Sequence, residues 1–223
     1  TPAYAMLRSL VGSEMCIRDR VKDITNEEKG YAKINLALHV TGIQADGYHA
    51  LDSIVVFTDV FDRLFFKRSL KNVVTLTGEF SKSINVHENS ILQALKLFGN
   101  RLTDRFSINL EKNLPIGAGL GGGSADAAAV IRFITNNSKH LMPSYEVLSK
   151  IGADIPACVL SVASRVGGIG EIVRPLDISE IDLWVVLVNP DIFVSTGSIF
   201  EEVTEKNNQP FCLLYTSPSP RDS

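Results

Sequence analysis

Five glycines between Gly117 and Gly123, inside the run LPIGAGLGGGSADAAA from Leu114 to Ala129, are the strongest chemical signal in the chain. Glycine tolerates left-handed backbone angles and puts no side chain between backbone and ligand, so successive N–H groups can converge on one point. Ser124 then opens an Ala-rich run that stays apolar through Val130, Ile131, Phe133 and Ile134, the pattern of a helix. Ser124 reads as its N-cap, and the free N–H groups and partial positive charge at such a helix start suit an anion, above all a nucleotide phosphate. Two phosphate-binding templates fit incompletely. Gly117, Gly119 and Gly122 satisfy G-x-G-x-x-G, but the acidic residue a dinucleotide site needs about 20 residues later is missing from Asn136 to Met142. Gly117 to Ser124 also fits G-x-x-x-x-G-K-S, except that Gly123 holds the lysine position. A cation for a bound triphosphate has to come from elsewhere.

Three further places carry reactive side chains. Lys33 and Asn35 are two apart in an alternating segment and therefore share one face of a strand, which is either a solvated face or one aimed at a site. Asp154, in Gly152-Ala153-Asp154-Ile155-Pro156, sits at or near a helix cap, where capping and chemistry are equally open roles. His49, after the turn Ala45-Asp46-Gly47-Tyr48, fits a general base, a ligand contact or a surface residue.

The elements that must position these residues follow from periodicity. Tyr31 to Val40 alternates, with Ala32, Ile34, Leu36, Leu38 and Val40 on the apolar face. Strand-like runs at Ile54 to Thr58, Leu64 to Lys67 and Val73 to Thr77 predict an antiparallel meander. Glu88-Asn89-Ser90 begins a helix carrying Ile91, Leu92, Leu95 and Phe98, and the strand of Phe106, Ile108 and Leu110 runs through Lys112 into the glycine loop. A short helix from Ser144, a sharp turn at Gly167 to Glu171 and an apolar strand from Leu183 to Val188 complete the pattern.

A chain of 223 residues, 45% hydrophobic, is long enough for one large domain or one and a half smaller ones. Its net charge of −3 gives no reason to expect nucleic acid or an anionic membrane as partner. Apolar runs are too short to span a bilayer and no secretory signal is evident, so a cytoplasmic location is the expectation. Cys16, Cys158 and Cys212 are odd in number and far apart, which argues against a disulfide framework or a zinc site. LRSLVGSEMCIRDR and CLLYTSPSPRDS look like adapter sequence, and residues 1–20 and 212–223 are expected to be a non-native leader and tail.

Taken in order, AKINLALHVTG, ADGYH, PIGAGLGGGSADAA, GADIP, GIGE and the Val194-Ser195-Thr196 to Phe200 segment resemble the GHMP kinases over roughly Glu28 to Phe200. The resemblance implies an α+β fold, with an N-terminal ATP-binding domain of mostly antiparallel sheet and packed helices at 21–165. Residues 166–211 would end that domain and begin a C-terminal domain that is largely missing. It implies transfer of the ATP γ-phosphoryl group to an alcohol, with Mg2+ bridging the phosphates and no dedicated metal ligands in the chain. Asp154 matches the presumed base and Lys33 the lysine beside it. Pro115, Gly117, Gly119, Gly121, Gly122, Gly123 and Ser124 match the phosphate loop, while Asn89 and Lys112 fall where the family lines the ATP pocket. ADGYH, GADIP and GIGE point to a cytidylylated methylerythritol as substrate. Its contacts would be Tyr48 stacked on the base, His49 on the base edge, Phe200 closing the other face, and Asn35 and Thr196. Other expectations to separate by binding tests are a kinase for homoserine or mevalonate, a nucleotide-binding fragment without catalysis and, more distantly, a Rossmann oxidoreductase. Asp126, in the first turn of the phosphate helix, has no assigned role.

Overall fold

The computed structural model describes residues 27–45, 47–83, 90–99, 104–178, 184–188, 199–200 and 202–211. Six strands form one sheet: β1 (Glu27–Ile43), β2 (His49–Ser69), β3 (Val73–Thr77), β4 (Arg105–Glu111), β5 (Ser164–Gly168) and β6 (Ile172–Pro175). The helices are α1 (Ser90–Phe98), α2 (Gly122–Asn137), α3 (Tyr145–Ser149) and α4 (Ile155–Leu160).

β2 organises the sheet. The runs at Ile54 to Thr58 and Leu64 to Lys67 join into one 21-residue strand, since Asp59 and Val60 stay extended although exposed. β1 pairs antiparallel with β2 along most of its length. Because β1 fills one edge, β4 (at Arg63 to Ser69) and β5 (at Leu51 to Val55) share the other, both antiparallel. β3 does not continue a meander: it pairs parallel with β4, from Val73↔Ser107 to Thr77↔Glu111. The boundary expected after residue 165 falls inside β5, and the sheet continues to Pro175.

α2 lies against β1, with α1 and α4 beside it. Its alanines permit a close approach, and on β1 the facing residue is Gly30, where an added Cβ would meet Asp126 Oδ1 at 3.0 Å and the Ala125 carbonyl carbon at 3.2 Å. Ala125, Ala127, Ala128, Ala129, Val130, Ile131, Phe133 and Ile134 join Leu64, Phe66, Ile108 and Leu110 in the main core. Arg132, midway along α2, donates to the Lys29 and Cys158 carbonyls at 2.5 and 2.7 Å and to Glu28 Oε2 at 3.1 Å, tying β1, α2 and α4 together.

Two expectations about faces fail. Leu36 and Leu38 of β1 are exposed while Lys33 is buried, because α2 and the glycine loop pack on the lysine side and the β1–β2 register shifts between Asn35 and Ala37. The apolar stretch expected as a strand has no strand pairing over its described part, 184–188, and leaves Trp184 and Val186 exposed. β-propensity supplies a strand-forming segment but not the neighbour whose N–H and C=O groups make it a strand.

Candidate active site

The glycine loop connects β4 to α2. Gly117, Gly119 and Gly121 all have positive φ, 71°, 73° and 64°, which side-chain-bearing residues rarely adopt. α2 starts at Gly122 with Gly121 as its N-cap, so Ser124 is not the cap but the third residue of the first turn. The left-handed turn at Gly121 swings the chain into the helix three residues earlier than a cap at Ser124 would. The N–H groups of Gly122, Gly123 and Ser124 precede the first intrahelical bond, Ala125 N to Gly121 O at 2.9 Å, and are the donors that a helix start leaves outside its own bonding.

Lys33 meets this loop from below. Its backbone N–H donates to the Leu120 carbonyl at 2.9 Å, and its ammonium lies 3.1 Å from Asp154 Oδ1 and 2.5 Å from Asn35 Oδ1. The Lys33 side chain is 4% exposed and that of Asp154 42%, so the carboxylate opens to solvent above a buried cation. Asp154 does occupy the N-cap position of α4, yet its side chain makes no capping bond. The carboxylate is engaged with Lys33 instead of with the helix start. A Cβ on Gly121 would lie 3.2 Å from Lys33 Cε and 3.5 Å from Asp154 Oδ2, so loop, lysine and aspartate converge within contact distance. Gly170, in the turn between β5 and β6, presses on the same junction: at φ 110° its Cβ would sit 2.0 Å from the Ala153 carbonyl oxygen.

Lys112, expected to line the nucleotide pocket, is among the buried charged residues. It is buried under the loop, with its ammonium 2.5 Å from Asp62 Oδ2 and 2.8 Å from Asp126 Oδ2. Asp62 Oδ1 in turn accepts from the backbone N–H groups of Asn113 and Leu114, at 2.6 and 2.8 Å, where the loop begins. One cation and two carboxylates thus fasten the entry of the loop to the first turn of its helix. This gives Asp126 its role. It turns away from the open side, although its Oδ1 is buried without a hydrogen-bond partner. Burial lowers the Lys112 pKa and the two carboxylates raise it, with a net upward shift. Burial pushes the Asp126 carboxyl up to about 7, against the pull of Lys112.

A titration signature follows. A carboxyl whose folded pKa is raised holds more protons folded than unfolded, so its contribution to stability is complete below its ordinary 3.8 and is lost as pH rises to about 7. Asp126 should therefore tilt stability downward by up to about 1.4 kcal/mol per pH unit across that window. Asp52, held low mainly by Arg165, acts oppositely, losing its contribution as pH falls below 3.8. Urea unfolding midpoints measured from pH 4.5 to 7.5 should fall with pH in the native chain and flatten in Asp126→Asn; parallel curves would refute the assignment.

At the other end of β2, the His49 ring stacks on Phe200 with centroids 5.2 Å apart, and its Nε2 is buried without a partner. Tyr48 is largely exposed beside it. Asn35 Nδ2 donates to Ser53 Oγ at 2.7 Å, so both ends of the amide expected to touch substrate are engaged within the protein. Asn89 and Thr196 lie outside the described residues. A cleft of about 810 Å3 between β1 and α2 lies apart from this cluster, and the two acids on its wall, Glu27 and Glu28, are paired with Arg63 and Arg132.

Two residues, Asp62 and Ser53, escaped sequence reasoning. A signal existed for Asp62: it shares strand parity with Leu64 and Phe66, which places a charge on a core face. Among the described residues no group of three or more His, Cys, Asp or Glu side chains is placed to hold a metal, and no helix is long and apolar enough to cross a membrane.

A glycine-built loop over a lysine–aspartate pair, on this sheet, defines a class. The chain belongs to the GHMP kinases, whose N-terminal domain matches residues 89–168. Within that class it is similar to proteins named 4-diphosphocytidyl-2-C-methyl-D-erythritol kinase: 41% identical over 204 residues to that of Rhizobium johnstonii, covering 87% of this chain and 67% of the relative. It is 39% identical over 180 residues to that of Cereibacter sphaeroides, covering 80% of this chain and 64% of the relative. The chain therefore spans about two thirds of the length of these relatives. A crystal structure of 4-(cytidine 5'-diphospho)-2C-methyl-D-erythritol kinase superposes with a TM-score of 0.55 at 32% identity, covering 67% of this chain and 55% of the other.

Proposed function

We propose that the chain provides the nucleotide-binding half and the base of a kinase that uses ATP to phosphorylate the 2-hydroxyl of 4-diphosphocytidyl-2-C-methyl-D-erythritol in non-mevalonate isoprenoid precursor synthesis. The observation that carries this reading is the approach of Asp154 Oδ1 to Lys33 Nζ, 3.1 Å, directly under the Gly121 turn. The N–H groups of Gly122, Gly123 and Ser124 hold phosphate oxygens, and the dipole of α2 favours their charge. With Oδ1 engaged by Lys33, Asp154 Oδ2 accepts the proton of the substrate hydroxyl as that oxygen attacks the γ-phosphorus. The Lys33 ammonium offsets charge on the transferring group. His49, Tyr48 and Phe200 form an aromatic end for the cytosine, with His49 Nε2 as the buried group that needs a partner. Mg2+, when bound with the triphosphate, supplies charge neutralisation between phosphates.

The test is ADP release from Mg-ATP with and without the cytidylylated substrate. It should be run on this chain and on a chimera completed with the C-terminal third of the Rhizobium johnstonii relative. Release that depends on the substrate in either supports the reading. ATP binding with no release in both would favour a non-catalytic nucleotide-binding unit.

A further inference from the structure

Ser53 stands two hydrogen bonds behind the Lys33–Asp154 pair, with Asn35 between. It lies on β2 opposite Leu38 and is 2% exposed. Its hydroxyl has a single proton, donated to the Ala37 carbonyl at 2.8 Å, so it meets Asn35 Nδ2 at 2.7 Å only as an acceptor. The Ala37 carbonyl is within its reach where the β1–β2 register shifts between Asn35 and Ala37. Asn35 is left with one orientation, Nδ2 toward Ser53 and Oδ1 toward the Lys33 ammonium at 2.5 Å. The reversed amide would set an N–H donor against an ammonium that has no acceptor lone pair.

Lys33 ends a four-carbon stem with several rotatable bonds, and Asp154, its other partner, is half open to solvent. The only route from its ammonium to a rigid backbone acceptor that the described bonds provide runs through Asn35 and Ser53 to Ala37. We propose that Ser53 is a positioning residue for phosphoryl transfer: it anchors the Asn35 amide, and through it holds the Lys33 ammonium in register with Asp154. The kinetic consequence rests on the kinase reading above, whereas the orientation of the amide does not.

The experiment compares Ser53→Ala and Ser53→Thr with the unaltered chain by two readouts. The first is hydrogen exchange of the Asn35 side-chain amide by NMR, which requires no turnover. Exchange should speed up in Ser53→Ala and stay slow in Ser53→Thr, which keeps the hydroxyl. The second is steady-state kinetics: kcat should fall about tenfold or more in Ser53→Ala, as for a displaced positioning contact, with KM for ATP unchanged because the loop is untouched, and recover in Ser53→Thr. Native exchange and native kcat in Ser53→Ala would overturn the inference, as would a fall in kcat matched by a rise in KM for ATP. If the unaltered chain and its completed chimera release no substrate-dependent ADP, the kinase reading falls and the amide exchange alone decides the role of Ser53.

Discussion

Asp154→Asn is expected to lower substrate-dependent turnover by about 10²-fold or more while ATP affinity stays within about twofold. Asparagine keeps the size and the N-cap position at the start of α4, so the local backbone has no reason to move. What disappears is the charge facing Lys33 at 3.1 Å and the oxygen able to take a proton from the attacking hydroxyl. The phosphate donors proposed above, Gly122, Gly123 and Ser124, lie on a different element, which is why binding and turnover should separate. Steady-state ADP release alongside equilibrium ATP binding makes the measurement, in whichever of the chain and its completed chimera turns over. Equal turnover in the two proteins would remove Asp154 from the chemistry.

Lys112→Met is expected to destabilise the fold by about 3–5 kcal/mol, the range for removing one partner of a buried ion pair. Methionine matches the stem and fills the space, but Asp62 and Asp126 then face each other without their shared cation, both buried. Adding Asp126→Asn should recover part of the loss by removing a buried carboxyl that, already pushed up to about 7, must otherwise take up a proton to sit beside Asp62. The floor of the loop would also loosen, so ATP affinity in the folded fraction should drop. Denaturant unfolding near neutral pH checks the first effect, and a loss below about 1 kcal/mol would show that the three groups are better solvated than their burial indicates.

The same triad shows where sequence reading reached its limit. Local patterns carried the loop, the helix behind it, the strand leading in, and the shared face of Lys33 and Asn35, because each depends on residues within a few positions. The position of Asp154 at a helix start was equally legible from Pro156. Its counter-ion was not legible from spacing alone: Lys33 and Asp154 are far apart in the chain, and it was the family resemblance that paired them. Lys112 was visible as a lysine entering the loop, but its two carboxylates come from β2 and α2, and no local pattern reports which acid a lysine will meet. Strand pairing failed for the same reason. Val73 to Thr77 read correctly as a strand, while its parallel partner β4 is separated from it by α1. Ser124 was misplaced because cap preference is a local rule, and the left-handed Gly121 satisfied the helix start first.

The two-sided pairing of β2 also dictates an order of assembly. Its first half can zip to β1 as soon as both are made, but its opposite edge waits for Ser164 to Gly168, roughly a hundred residues later on the chain. During synthesis at about 5–20 residues per second, that edge stays open for several seconds or more with Val55 and its neighbours uncovered. β5 is therefore the closing piece. Until it docks, neither the Gly170 turn nor the Ala153 carbonyl it rests on has its final neighbour, so Asp154, the next residue, is among the last groups to be set in place.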